Sequence, residues 1–417
     1  MTTMNTKFKS ARLTLPLIVS ALLFSTAACS NQSGLTTNTN TDSKEVKTSP
    51  KKSPVNNEKP EFTTKTVATF DEPWAMAALP KMNNEAPKLL VTQKTGELFI
   101  VNTATGAKTA VTGVPKVAYG GQGGLGDIAL APDFATSNNV YISYAEAGTG
   151  NNSDKFGAKV VKAKLAGMNT STPSLQSITP IWQQVPKVTG QGHYSHRLLF
   201  SPDGQHLYIS SGERQKKDPA QDMSMNLGKI IRLNADGSVP KDNPFVNNSN
   251  KIASQFWTVG NRNVLGMSFD SKGRLWANEM GPKDGDEFNL IEKGKNYGWP
   301  LVSNGSDYSG APIPDHVTRP EFEEPKITWT PVISPASMTI YSSGTHNDFP
   351  AWEGNFLIGG LSSKGIVVVG VADDNTATER YRYDMGERIR SVLAVDGEVW
   401  VLEDESDSKL LKLLPKK

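Results

Sequence analysis

His193 stands four residues ahead of Arg197 in the run GQGHYSHRLLF, residues 190–200, and it is one of only five histidines in 417 residues. A histidine on a glycine-bounded loop that leads into an apolar strand can move a proton near neutral pH. It could equally do no more than hydrogen-bond its neighbours. Were the segment extended, His196 would point away from His193. Four further segments carry side chains suited to a ligand. The glycine-dense run 120–127, GGQGGLGD, lets backbone approach a flat molecule closely, with Gln122 as the long polar side chain in its middle. Arg214, just after the Tyr208-Ile209-Ser210 run, is a candidate carboxylate clamp. Tyr297 and Trp299 flank Gly298 and offer aromatic faces to a sugar or a planar cofactor, or else fill core. Arg388 and Arg390 alternate around Ile389, so a strand puts both guanidinium groups on one face. Two such cations repel unless an anion lies between them. That anion could be a polycarboxylate ligand or a nearby acid such as Glu387 or Asp384. Residues 279–287, EMGPKDGDE, offer oxygen ligands for a hard cation such as calcium, and Asp242 adds a carboxylate in a separate turn. His193 and His196 have no third nitrogen or sulfur ligand nearby, which argues against zinc.

The elements that must position these groups are short strands. Leu89-Leu90-Val91-Thr92 is answered by Leu98-Phe99-Ile100-Val101, and Leu207-Tyr208-Ile209-Ser210 by Ile230-Ile231-Arg232-Leu233. The same style recurs at 140–144 with 160–165, 275–278 with 288–291, 356–359 with 366–369 and 399–402 with 410–414. Asp203-Gly204, Lys272-Gly273 and Asp396-Gly397 turns precede three of the runs. Six self-similar units predict an all-β, six-bladed β-propeller rather than a sandwich or jelly roll. In a propeller the loops of different blades meet at one mouth.

The ends of the chain read differently. Lys7, Lys9 and Arg12, an apolar stretch over 13–24 and Ala27-Ala28 before Cys29 predict a lipoprotein signal peptide over 1–28 with lipid on Cys29. Residues 29–60, rich in Ser, Thr, Asn, Lys and Pro, predict a disordered tether. Residues 61–417 are the expected propeller domain. Ser30 is not the Asp of an inner-membrane retention signal, so the expected location is the periplasmic side of a bacterial envelope, anchored to the outer membrane. The membrane would be touched through the lipid only. Cys29 is the single cysteine, so no intrachain disulfide forms. The formal net charge is +2 and no basic stripe with interleaved aromatics occurs, which excludes nucleic acid as the expected partner.

Taken in order along the chain, these segments resemble the soluble PQQ-dependent glucose and aldose sugar dehydrogenases. The resemblance runs from about Trp74 to Leu414 and includes Gly121-Gln122-Gly123-Gly124-Leu125, Gly192-His193-Tyr194, Asp242-Asn243-Pro244-Phe245, Asn296-Tyr297-Gly298-Trp299-Pro300 and Arg388-Ile389-Arg390. It implies PQQ and calcium at the propeller mouth and oxidation of an aldose at the anomeric carbon to the lactone. A separate electron acceptor would follow. His193 would be the base, Gln122, Arg214, Arg388 and Arg390 would hold PQQ, and Tyr297 and Trp299 would line the sugar side. Calcium would polarise the quinone oxygen, held largely by backbone carbonyls. Glu279 and Asp242 resemble ligands of a second, structural calcium. The glucose-specific branch has a cofactor-binding lysine where this chain reads Leu361-Ser362-Ser363-Lys364, so the chain looks nearer the broad aldose branch. Glu213-Arg214 replaces a typical Asp-Arg. The rival readings are a propeller that only binds, as a surface lipoprotein, and a calcium-dependent lactone hydrolase. The second wants a ring of carboxylates and amides at the axis that the sequence does not supply.

Overall fold

The computed structural model describes residues 58–81 and 86–416. The expected signal peptide, Cys29 and nearly all of the expected tether lie outside the described residues. From Phe62 onward the chain forms six antiparallel sheets, five of four strands and one of five. They occupy residues 73–110, 125–189, 195–259, 264–329, 335–384 and 389–415, here blades 1 to 6. The first strands of the blades, Pro73–Ala78, Leu125–Leu130, Ser195–Phe200, Val264–Phe269, Pro335–Ile340 and Ile389–Val395, touch one another in sequence and close on themselves. This is the expected six-bladed propeller.

The apolar runs seen in the sequence are the second and third strands. The second strands are buried on both faces because each is sandwiched between neighbouring blades. Leu90 packs with blade 2, whereas Leu89 and Val91 pack with blade 6. Leu357 faces blade 6, whereas Phe356 and Ile358 face blade 4. Among the described residues six apolar clusters fall one at each blade interface, and a seventh, smaller one joins Trp74, Ala75 and Leu265 of the first strands. Burial on both faces removes the polar alternation of a one-sided sheet and leaves continuous apolar runs.

The first strands carry a second feature that the sequence did not announce. In every blade the register with the second strand shifts at the beginning of the first strand: at Pro73/Ala75, Leu125/Ile128, Ser195/Leu198, Val264/Gly266, Pro335/Met338 and Ile389/Ser391. Such bulges turn side chains out of the ladder and strengthen the local twist.

Blade 6 has only three strands from its own stretch of chain. Phe62–Phe70 completes it by pairing antiparallel with Ser408–Pro415. Phe70 is the anchor of that strand. It is buried in the cluster of Val91, Trp400 and Leu410, with its ring 5.9 Å from that of Phe99. Phe70→Ala is expected to lower the free energy of urea unfolding by about 3–5 kcal/mol. The exposed Lys65→Ala in the same strand should stay within about 0.5 kcal/mol. Equal small effects would mean that the ring closes without this strand.

Candidate functional site

The segment before the Ser195–Phe200 strand is not extended. His193, Ser195 and His196 all hold left-handed backbone, at φ 46°, 57° and 49°. Non-glycine residues adopt that region at a cost and need fixed surroundings. Gln122 Oε1 accepts the His193 backbone N–H at 2.7 Å, and Ser195 Oγ donates to Asn263 Oδ1 at 2.9 Å. The glycine-rich loop fits closely against this segment. A Cβ on Gly121, itself at φ 55°, would lie 2.7 Å from the Gln191 carbonyl oxygen.

Arg214 clamps the same loop, which corrects its expected role as a cofactor ligand. Its Nε donates to Gly192 O at 2.8 Å, and its two terminal nitrogens donate to Phe156 O at 2.6 Å and Gly190 O at 2.5 Å. The guanidinium also lies 3.6 Å from the centre of the Tyr194 ring. With 1% of the residue exposed, it binds polypeptide rather than a ligand.

The neighbouring Glu213 is the residue that sequence reasoning passed over. Its Oε1 lies 2.5 Å from His193 Nδ1, and its Oε2 accepts the Lys217 N–H at 2.6 Å. Burial pushes the Glu213 carboxyl up, but the hydrogen bond from His193, the Lys217 N–H and the charge of Arg262 outweigh it. It stays ionised, below the usual range. Burial pushes the His193 imidazole down, Glu213 pulls it part of the way back, and Arg262 and Arg214 depress it further. His193 is therefore neutral near pH 7. An ionised carboxylate at Nδ1 fixes the proton there and leaves Nε2 with its lone pair.

Beside this pair lies a cavity of about 430 Å³ to which every blade contributes, among others Trp74, Gln122, His196, Met280, Leu361 and Arg390 in blade order. The size suits a small cofactor. His193 itself is not among the residues that line it; its neighbour Tyr194 is, and so is Gln122, whose Oε1 accepts the His193 backbone N–H. His196 is on the wall while His193 is not, and the backbone that carries it there is left-handed rather than extended. Its ring stacks on Trp74 at 4.8 Å and 9°, and Arg197 lies 3.8 Å from the centre of the Trp74 ring. Burial pushes His196 down to about 3, so it is neutral.

Arg388 and Arg390 line the cavity together, as expected, with Ile389 buried between them. Their shared acid is Asp404, not Glu387 or Asp384. Arg388 Nε donates to Oδ2 at 2.9 Å and Arg390 Nε to Oδ1 at 2.7 Å. Arg388 also lies 3.1 Å from Glu405. Asp404 follows the Glu398–Glu403 strand and reaches the arginines across the hairpin.

Tyr297 and Trp299 do not line this cavity. The Tyr297 hydroxyl donates to Leu290 O at 2.5 Å and accepts the Glu292 N–H at 2.9 Å, so it is core. Trp299 is 5% exposed, with its ring centre 5.0 Å from the Arg262 guanidinium. The Gly298 turn, at φ 85°, folds both aromatics inward.

Glu279 and Asp242 are not brought together. Asp242 pairs with Arg232 at 3.0 Å and its side chain is 64% exposed. Glu279 is buried and instead sits directly across from Glu287 on the paired strand. Asn289 Nδ2 bridges the two, at 3.3 Å from Glu279 and 3.0 Å from Glu287. Burial pushes both carboxyls up to about 7, with the charge of Glu287 adding to the rise at Glu279 and that of Asp286 to the rise at Glu287. Asn289 Oδ1, also buried, has no partner among the described residues. No group of three or more His, Cys, Asp or Glu side chains is disposed to hold a metal among the described residues.

The profile described as Glucose / Sorbosone dehydrogenase matches residues 70–412. Aldose sugar dehydrogenase YliI of Escherichia coli is 37% identical over 354 residues, 83% of this chain and 91% of that protein. The apo-form crystal structure of the soluble aldose sugar dehydrogenase from Escherichia coli superposes with a TM-score of 0.76 at 36% identity, covering 85% of this chain and 100% of that one. The PQQ-bound aldose sugar dehydrogenase of Streptomyces coelicolor superposes at 0.67 with 27% identity, covering 86% and 100%.

The clamp role of Arg214 is open to direct measurement. Hydrogen bonds to a charged group are worth about 1.5–3 kcal/mol each, so Arg214→Met should lower unfolding stability by at least about 2 kcal/mol. Arg388→Met, at a partly exposed ion pair, should stay within about 1 kcal/mol. The reverse order would place Arg214 among ligand groups rather than loop supports.

Proposed function

The chain belongs to the glucose/sorbosone dehydrogenase family, and from that premise we propose that it oxidises an aldose at the anomeric carbon with PQQ as hydride acceptor. The observation that carries this reading is one cavity with two guanidinium groups on its wall, beside a buried histidine held by a carboxylate. PQQ is a planar molecule with three carboxylates. The cavity offers it Arg388 and Arg390 for charge, a glycine-lined wall at Gly121 and the amide of Gln122. When bound, PQQ supplies an ortho-quinone that accepts the hydride of the anomeric C–H. His193 Nε2 takes the proton of the anomeric hydroxyl as that bond breaks, and the sugar leaves as the lactone. Glu213 holds the imidazole in the required tautomer and stabilises the imidazolium that forms. Burial, helped by the charge of Arg262, keeps His193 unprotonated beforehand.

Calcium is proposed on different ground. Two buried carboxylates opposed across a strand pair suit a hard oxygen-loving cation, and a flip of the Asn289 amide would replace its bridging N–H donors with its unpartnered oxygen as a third ligand. Glu279 and Glu287 would hold it, in place of Glu279 and Asp242.

Two measurements test these readings. In protein loaded with PQQ and calcium, His193→Ala should retain the cofactor but reduce dye with a panel of aldoses about 10²–10⁴-fold more slowly. Glu213→Gln removes the interaction that raises the His193 pKa. The acid limb of kcat/KM should therefore move to lower pH and the plateau should fall. An unmoved limb would deny Glu213 its role. Wild-type protein that binds PQQ yet oxidises no aldose would establish a propeller that only binds.

For the cation, calcium added to PQQ-free protein should raise its melting temperature. Saturation to a hundred times Kd corresponds to about 2.7 kcal/mol. Glu279→Gln should abolish the rise. An equal rise in the variant would remove the acid pair from calcium binding.

A further inference from the structure

Resting on the PQQ reading above, we propose that Lys94 of blade 1 is a cofactor-binding cation that holds a carboxylate which the paired arginines of blade 6 do not reach. The three carboxylates of PQQ project from different sides of a rigid fused ring system, whereas Arg388 and Arg390 stand at the start of one strand and share one acid. Charge from a second blade is needed to hold such a molecule in one orientation. Lys94 lines the same cavity.

Its backbone is fixed on two sides. The Lys94 N–H donates to Glu72 O at 3.0 Å, and Lys94 O accepts the Leu125 N–H at 3.0 Å. Gly124, at φ 147°, lies so close that a Cβ there would be 2.1 Å from the Lys94 carbonyl oxygen. The glycine-rich loop that carries Gln122 is thus built against Lys94.

The side chain is oriented but not saturated. An ammonium group has three donors. One goes to Glu72 Oε1 at 2.9 Å, and among the described residues the other two have no acceptor. The second oxygen of Glu72 is taken by the Tyr119 hydroxyl at 2.5 Å. Burial pushes the Glu72 carboxyl up, and the hydrogen bonds from Tyr119 and Lys94 outweigh it, so Glu72 remains ionised. Glu72 also holds left-handed backbone, φ 44°, a conformation with a cost of its own. Tyr119 and Glu72 aim the ammonium at the cavity and leave two of its N–H groups for a ligand. Lys364 has no such setting: it is exposed and its Nζ lies 3.4 Å from Gly386 O, away from the cavity lining.

The experiment is a PQQ titration with calcium present, followed by tryptophan fluorescence, since Trp74 is on the cavity wall. Lys94→Met should bind PQQ at least about tenfold more weakly than wild type, the loss expected for one charge-assisted contact. Lys94→Gln serves as a second neutral variant should the first fail to fold. Lys94→Arg should recover most of the affinity, and Lys364→Met should match wild type. Unchanged PQQ affinity in the neutral variants overturns the proposal, as does unchanged affinity with a raised KM for the sugar, which would turn Lys94 toward substrate. Wild-type protein that binds no PQQ defeats the functional reading itself, a result distinct from loss in the variants alone.

Discussion

The site depends on a break in hydrogen-bond register that all six blades share. A first strand that alternated regularly from its first residue would send half of its side chains between blades and leave the mouth lined by backbone. The bulge adds a residue before the ladder resumes, and that residue faces the axis. Trp74, His196, Leu265 and Arg390 sit inside four of the six breaks, and all four line the cavity. A bulge frees backbone N–H groups that need partners once buried. Blades 1 to 3 answer with a hydroxyl from the second strand. Thr92 Oγ1 accepts the Ala75 N–H at 3.0 Å, Ser143 Oγ that of Asp127 at 2.8 Å and Ser210 Oγ that of Arg197 at 2.9 Å. Those hydroxyls close the apolar runs LLVT, VYIS and LYIS. The repeat read from the sequence therefore encodes the device that opens the site as well as the core.

The His193 loop shows why buried charge is spent on polypeptide here. Three left-handed residues in four would not persist without fixed supports. Arg214, with its donors spread over three carbonyls, supplies what a regular ladder would otherwise give. Its charge has a consequence for chemistry, because with Arg262 it adds to the burial that keeps His193 neutral. Glu213 acts in the opposite sense through a shorter and more directional contact. Burial, two cations and one hydrogen-bonded carboxylate leave an imidazole that is free to accept a proton but ready to be stabilised once it has.

Legibility in the sequence followed burial. The second strands, apolar on both faces, were plain, and six of them were enough to give the propeller. The first strands were obscured by their bulges, which insert a residue and shift the alternation where it should start. The outer strands were obscured by exposure, as in Ala377–Asp384, whose side chains alternate between part-buried and exposed. Ring closure joins Phe62–Phe70 to the far end of the chain, and no local pattern reports such a pairing. In the site, Arg388 and Arg390 were legible as a local pair, although Arg388 precedes the strand and the register break at Arg390, rather than plain alternation, turns it to the cavity. Asp404 was not, since it arrives across a hairpin. Glu213-Arg214 was visible as a pair, but their division of labour depends on which carbonyls surround the guanidinium. Tyr297 and Trp299 failed because the turn at Gly298 decides which way an aromatic faces, and composition does not.

The acid-rich stretch was the one place where local geometry held more than was drawn from it. Residues 279 and 287 flank a tight Asp-Gly-Asp turn, and a hairpin there sets them opposite each other. Asp242, by contrast, lies in another blade and already has an arginine. Like charges directly opposed in a sheet destabilise it, more so when buried. The chain tolerates this pair by hydrogen-bonding it from Asn289, Asn261 and the Arg262 N–H, the last at 2.6 Å. That last contact ties the pair to the reaction centre. The residue whose backbone serves Glu279 is the one whose guanidinium depresses His193, and its carbonyl accepts the Glu213 N–H at 3.0 Å. Arg262, in the Gly260-Asn261-Arg262-Asn263 run that departs from the family pattern, thus touches both the acid pair and the proton-accepting histidine.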